Sequence, residues 1–100
     1  MDLYNFVNSL FDRIKENGVS GTYISMPYGM VKVNIVPDGS RVFIYMDDIK
    51  MGYFEKVDYR GYEYVFHQQY RIGIQRCPTE NEKAMKNICE MHDIIDFHSA

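Results

Sequence analysis

The sequence predicts an α+β fold in which an antiparallel meander of about five strands carries a helix from each end of the chain on one face, in the order α-β-β-β-β-β-α. Apolar residues recur at helical spacing near both ends of the chain, whereas alternating segments separated by turn residues fill its middle. One hundred residues support a single core, so residues 1–100 are expected to form a single domain.

The first helix is predicted from one apolar stripe. Asp2 is suited to its N-cap, and Asn17 and Gly18 are suited to its end. The stripe consists of Leu3, Phe6, Val7, Leu10, Phe11 and Ile14.

The strongest local signal is a hairpin over Met30–Met46, with Pro37, Asp38 and Gly39 as its expected turn. A weaker strand, Val19–Met26, precedes it and is broken by Pro27, Tyr28 and Gly29. Alternation places one set of side chains on the core face: Val31, Val33, Ile35, Val42, Ile44 and Met46. The opposite face then receives Lys32, Asn34, Arg41, Phe43 and Tyr45.

Met51–Asp58 is predicted to be the fourth strand, and Arg60 and Gly61 the turn after it. The assigned facing puts Met51, Tyr53 and Val57 inward and Phe54 and Lys56 outward. Tyr62–Gln75 alternates throughout, but fourteen residues exceed the usual length of a strand. Either a long bent strand or a break near His67, Gln68 and Gln69 is compatible with this segment.

The second helix is predicted to begin at a capping box formed by Thr79 and Glu82. Its apolar stripe consists of Met85, Ile88, Cys89, His92 and Ile95, and the chain is expected to fray after it.

Composition narrows the function classes. A net charge of −3 argues against a general nucleic-acid binder, which is usually basic. Two cysteines are too few for a disulfide scaffold, and neither a leader-like start nor an apolar run of membrane-spanning length is seen. A soluble, cytoplasmic protein with free thiols is expected.

No motif in the sequence indicates an enzymatic reaction. Cys77, Cys89, His92 and His98 lack the closely spaced pair typical of structural zinc sites, so neither a metal nor another cofactor is predicted. Pro37 and Asp38, followed by Asp48 and Lys50, match the residue types of a PD-(D/E)xK nuclease motif. The hairpin would however place the two aspartates roughly 25–30 Å apart, too far to share a metal ion. No catalytic residue is therefore assigned.

The sheet face left free by the helices is the predicted site. It is expected to bind a partner through six residues: Phe43, Tyr45, Phe54, Lys56, His67 and Arg71. Aromatic and arginine side chains are enriched in interface cores, and monomers rarely leave such patches bare.

The leading hypothesis is a small non-catalytic protein that occludes the surface of a larger partner, as phage-encoded inhibitors of host defence (anti-CRISPR proteins among them) and immunity proteins do. Loops of the chain itself or a second copy in a homodimer are the other ways to cover the same face. The alternative is a nucleotide-binding or other small-molecule-binding domain that stacks its ligand on the aromatic face and uses Arg71 or Lys56 for phosphate. A small hydrolase or nuclease ranks third.

Overall fold

The computed structural model describes residues 2–15, 23–69 and 78–99. They form two helices and six strands, whose order along the chain is α1 (Leu3–Ile14), β1 (Tyr23–Met26), β2 (Gly29–Asp38), β3 (Arg41–Met46), β4 (Ile49–Tyr59), β5 (Tyr62–Gln68), α2 (Glu80–Glu90) and β6 (Ile95–Ser99). The strands lie side by side in this same order. Neighbours from β1 to β5 are antiparallel, and β6 is parallel to β5.

The predicted α+β class is therefore confirmed, but the sheet is mixed and the chain does not end in a helix. Helix α2 stops at Glu90, with Met91 as its C-cap. Ile95, predicted to belong to the helical stripe, is the first residue of β6. The alternation of Ile95 and Phe97 with Asp96 and His98 fits a strand, because successive side chains of a strand point to opposite faces.

Both helix starts are confirmed. The Asp2 carboxylate accepts a hydrogen bond of 2.8 Å from the backbone N–H of Asn5, and the Thr79 hydroxyl accepts one of 3.2 Å from the N–H of Glu82. Each bond satisfies a helix N–H that has no partner within the helix. The predicted end of the first helix at Asn17 and Gly18 lies outside the described residues.

The two helices share one core with one face of the sheet, here called the core face. Buried residues from α1 (Val7, Leu10, Phe11), α2 (Met85, Ile88, Cys89) and strands β1 to β6 form one apolar cluster. Phe54 and Phe66 pair across β4 and β5 with their ring centroids 4.8 Å apart. The Phe6 ring of α1 stacks on Tyr64 at 3.8 Å. The opposite side of the sheet is called the outer face.

Two hairpins close through tighter turns than the sequence indicated, whereas the predicted turn at Arg60 and Gly61 is confirmed, since Tyr59 pairs with Tyr62. Asp38 pairs with Arg41, so Gly39 and Ser40 form the loop and Pro37 belongs to β2. Gly39 has φ +60°, as its predicted turn role requires. Asp47 and Asp48 both adopt positive φ between β3 and β4, the conformation of a two-residue type I′ turn.

One bulge in β4 sets which side chains reach the outer face. Ile44 pairs with Gly52 whereas Tyr45 pairs with Lys50, which leaves Met51 as an extra residue. Beyond the bulge Phe54 is fully buried on the core face, and Tyr53 is opposite Phe43 on the outer face. The predicted inward Tyr53 and outward Phe54 are therefore wrong, because alternation carried through Met51 does not allow for the inserted residue.

Candidate functional site

A row of four rings crosses the outer face from β3 to β6. The members, named here the ring row, are Phe43, Tyr53, His67 and His98, and each is opposite the next in the strand register. Their consecutive ring centroids are 5.3, 4.7 and 5.7 Å apart. Val36 on β2 continues the row and is 44% exposed. Each ring is thus supported by a neighbour while part of the row faces solvent.

Two cations lie against this row. The Arg41 guanidinium carbon lies 4.7 Å from the Tyr53 ring centroid, and the Lys50 ammonium lies 4.3 Å from the centroid of Phe43. At exposed positions such cation–π contacts contribute about 0.5–1 kcal/mol each. These contacts hold the two cations beside the rings.

Two carboxylates flank the histidine end of the row. Glu55 Oε2 accepts a hydrogen bond of 3.3 Å from Arg41 Nε, and Glu55 Oε1 lies 3.7 Å from His67 Nε2. Val65 on β5 pairs with Glu55 on one side and with Asp96 on the other. Val65 is only 2% exposed, so it forms an apolar floor between the two acids.

Asp96, His98 and Tyr59 form a hydrogen-bonded triangle. Asp96 Oδ2 lies 2.8 Å from His98 Nε2 and accepts a bond of 2.9 Å from the Tyr59 hydroxyl, which itself lies 3.3 Å from His98 Nε2. The bond from His98 lowers the pKa of the Asp96 carboxyl, against a smaller opposing effect of burial. The bond to Asp96 raises the pKa of the Tyr59 hydroxyl. The triangle therefore fixes the direction of the His98 ring.

The structure brings together three of the six predicted site residues. Phe43, Tyr45 and His67 lie on the outer face, where Tyr45 is opposite Asn34 next to the ring row. Phe54 does not belong there, because its ring is fully buried in the core.

The two remaining predicted site residues do not join this group. Lys56 is exposed, but it is opposite Tyr64, whose ring is in the core, so it lies on the core-face side of the register. Arg71 lies outside the described residues.

Sequence reasoning missed four members of the site: Arg41, Lys50, Tyr53 and His98. The parity of Arg41 with Phe43 was visible in the sequence, whereas the facing of Tyr53 depended on the bulge. His98 had a detectable signal in the alternation of Ile95, Asp96, Phe97 and His98.

The ring row lies on an open surface. Phe43, Tyr53, His67 and His98 line neither the groove between α1 and β2 nor the groove beside α2 and β6, although Val36 and Tyr45 line the first of these. Within residues 2–15, 23–69 and 78–99, no cluster of His, Cys, Asp and Glu is suited to hold a metal ion. In the same ranges, no helix combines the length and apolar character needed to cross a bilayer.

Comparison of the chain with protein-family models, curated proteins and solved structures gives no match.

Proposed function

We propose that the protein is a non-catalytic binding module that docks on a larger protein through the outer face and acts by covering that partner's surface. The observation that carries this proposal is the solvent-facing ring row, Phe43, Tyr53, His67 and His98, with Arg41 beside it. Tyrosine, phenylalanine and arginine are the side chains enriched at the centres of protein interfaces.

The rigidity of the row favours tight docking. Each ring contacts a neighbour on the adjacent strand, and Arg41 is held by both Tyr53 and Glu55. Side chains that are already ordered lose little conformational entropy when a partner covers them. An open, preformed surface of this kind suits a macromolecule better than a small ligand, which is usually enclosed in a cleft.

The charges of the face favour a protein partner over nucleic acid. Cations and carboxylates are balanced across the rows of the outer face: Lys32, Arg41 and Lys50 against Asp38, Glu55 and Asp96. A nucleic-acid site would present an excess of basic side chains along the backbone path. The proposed class is an inhibitor or immunity-type protein of a reducing compartment, such as those carried by phages and other mobile elements.

Wild-type, Tyr53→Ala and Tyr4→Ala chains are immobilised separately and incubated with an extract of the cells that carry the gene. The test compares the proteins that each chain retains. Tyr4 is the matched control, since it is 39% exposed on α1. Loss of a central interface ring weakens binding by about 2 kcal/mol, or roughly thirtyfold. A single stoichiometric partner is expected on wild type and Tyr4→Ala, and strongly reduced on Tyr53→Ala. Equal retention by a folded Tyr53→Ala chain would contradict the proposal.

A second candidate, binding of a nucleotide or similar planar anion, is favoured by Arg41 and Lys50 lying against the rings. Stacking of a base on Phe43 or Tyr53 would place either cation near a phosphate. The same preparations distinguish this function. A chromophore absorbing near 260 nm that co-purifies with wild type, and not with Arg41→Ala, would support it.

A further inference from the structure

Strand β6 presents an open edge. It is the last strand of the sheet, and within residues 2–15, 23–69 and 78–99 no strand pairs with its outer side. Natural proteins protect such edges with charged side chains, lysine above all, with proline or with a bulge. Ile95–Ser99 contains neither lysine nor proline, and its register with β5 is continuous. Its one acidic side chain, Asp96, is bonded within the chain to Tyr59 and His98. The edge is therefore suited to pairing with another strand.

The direction of the free backbone groups follows from the parallel ladder. The N–H of Tyr64 donates to the carbonyl of Ile94 at 3.0 Å. Alternate residues of a strand turn their backbone groups to the same side, so Asp96 and His98 bond to β5. Phe97 then directs both its N–H and its C=O away from the sheet.

This arrangement is self-complementary. If two β6 strands meet antiparallel with Phe97 on a two-fold axis, the N–H of each Phe97 donates to the C=O of the other. The same register puts Asp96 opposite His98 of the second copy on the outer face, and Ile95 opposite Ser99. An aspartate carboxylate directly across an antiparallel pair from an imidazole can accept a hydrogen bond from its ring N–H, whereas two aspartates at these positions would repel each other.

We propose that β6 pairs antiparallel with β6 of a second copy of this chain, forming a two-fold dimer with a continuous twelve-stranded sheet. The groove beside this edge, about 900 Å³ in volume, carries both signs of charge on its walls. Arg60, Lys83 and Lys86 face the same space as Glu82, Glu90 and Asp93. A groove of mixed charge fits a copy of itself, because a surface of one sign would repel its image.

The dimer has a consequence for the outer face. His98 ends the ring row at β6, so the ring rows of both copies reach the shared edge from opposite sides. The pairing rests on backbone direction and does not depend on the protein-binding proposal. Loss of partner binding in Tyr53→Ala would leave it intact, and loss of dimerisation would leave the ring row of each copy in place.

A disulfide across the predicted register tests the dimer. An Asp96→Cys chain is mixed with a His98→Cys chain, both carrying Cys77→Ser, in a glutathione redox buffer. Side chains opposite each other in an antiparallel pair have Cβ atoms about 4.5–5.5 Å apart, close to the spacing that a disulfide needs. The mixture is expected to give a cross-linked product of twice the 11.8 kDa chain mass. Either chain alone is expected to give much less, and equal cross-linking of a single variant would overturn the register.

A second measurement keeps the side chains unchanged. Residues 1–88 are ligated through Cys89 to a synthetic peptide of residues 89–100 in which the Phe97 nitrogen is methylated, with the unmethylated product as control. Each methylated chain loses one donor, so the dimer of two methylated chains loses both hydrogen bonds at the axis, and its Kd is expected to rise about thirtyfold. An unchanged Kd, or an unmodified protein that sediments as a monomer at the cross-linking concentrations, would overturn the proposal. A monomer that binds foreign peptides along β6 would overturn it equally.

Discussion

Gly52→Ala is expected to be among the most damaging single-methyl changes in the sheet. Gly52 lies beside the bulge of β4 with φ +150°, a conformation that L side chains rarely adopt. A Cβ atom there would run into the backbone carbonyl oxygen of His67 and lie 2.9 Å from Phe66 Cζ. The obstacle is the backbone of β5, so relief would require β4 and β5 to separate at the centre of the ring row.

Gly29→Ala is the matched control, because Gly29 has φ +135° and a Cβ atom added there would meet no heavy atom within 4 Å. Unfavourable φ costs about 1–3 kcal/mol at either site. Overpacking adds about 1–3 kcal/mol at Gly52 only. Gly52→Ala should therefore lose about 2 kcal/mol more unfolding free energy than Gly29→Ala. Urea denaturation followed by circular dichroism measures this difference, and equal losses would refute the described contact between β4 and β5.

Three further outcomes are expected. Phe54→Ala should lose about 3–5 kcal/mol of unfolding free energy as a core cavity, while Tyr45→Ala should lose less than about 1 kcal/mol; the reverse order in denaturation would mean that the faces are exchanged. Burial raises the pKa of the Cys89 thiol to about 12. Above about pH 8.5 the unfolded chain therefore releases a proton that the folded chain keeps, and this thiol should lower stability by up to ~1.4 kcal/mol per pH unit. Between about pH 8.5 and pH 10, below the range in which tyrosines titrate, this slope should be lost in Cys89→Ala. Thr79→Ala should cost about 1 kcal/mol through the lost N-cap, measurable by urea titration, and an unchanged midpoint would contradict the cap.

Local patterns predicted most of the elements. The stripe from Leu3 to Ile14 and the N-caps at Asp2 and Thr79 are short-range signals, and the structure follows them. The core-facing set of β3, Val42, Ile44 and Met46, was also predicted because alternation is unbroken there.

The candidate site was only partly predictable because it depends on two non-local features. The bulge at Met51 moves Tyr53 to the outer face. Gly52 is a local signal for a bulge, but a glycine within a strand does not by itself show which residue is inserted. Ile95 satisfies helical spacing from His92 and strand alternation with Phe97 equally well. Ile95 belongs to a strand because it pairs with Tyr64 of β5, a residue from which it is separated in the sequence by all of α2.

Site-specific photo-crosslinking tests the central claim, that the ring row is the working surface, most directly. Benzoylphenylalanine replaces Phe43 on the outer face in one chain and Tyr4 on α1 in another, and each chain is irradiated in an extract of the cells that carry the gene. A covalent adduct with one larger protein is expected from position 43, and none from position 4. The same adduct from position 4, with none from position 43, would contradict it.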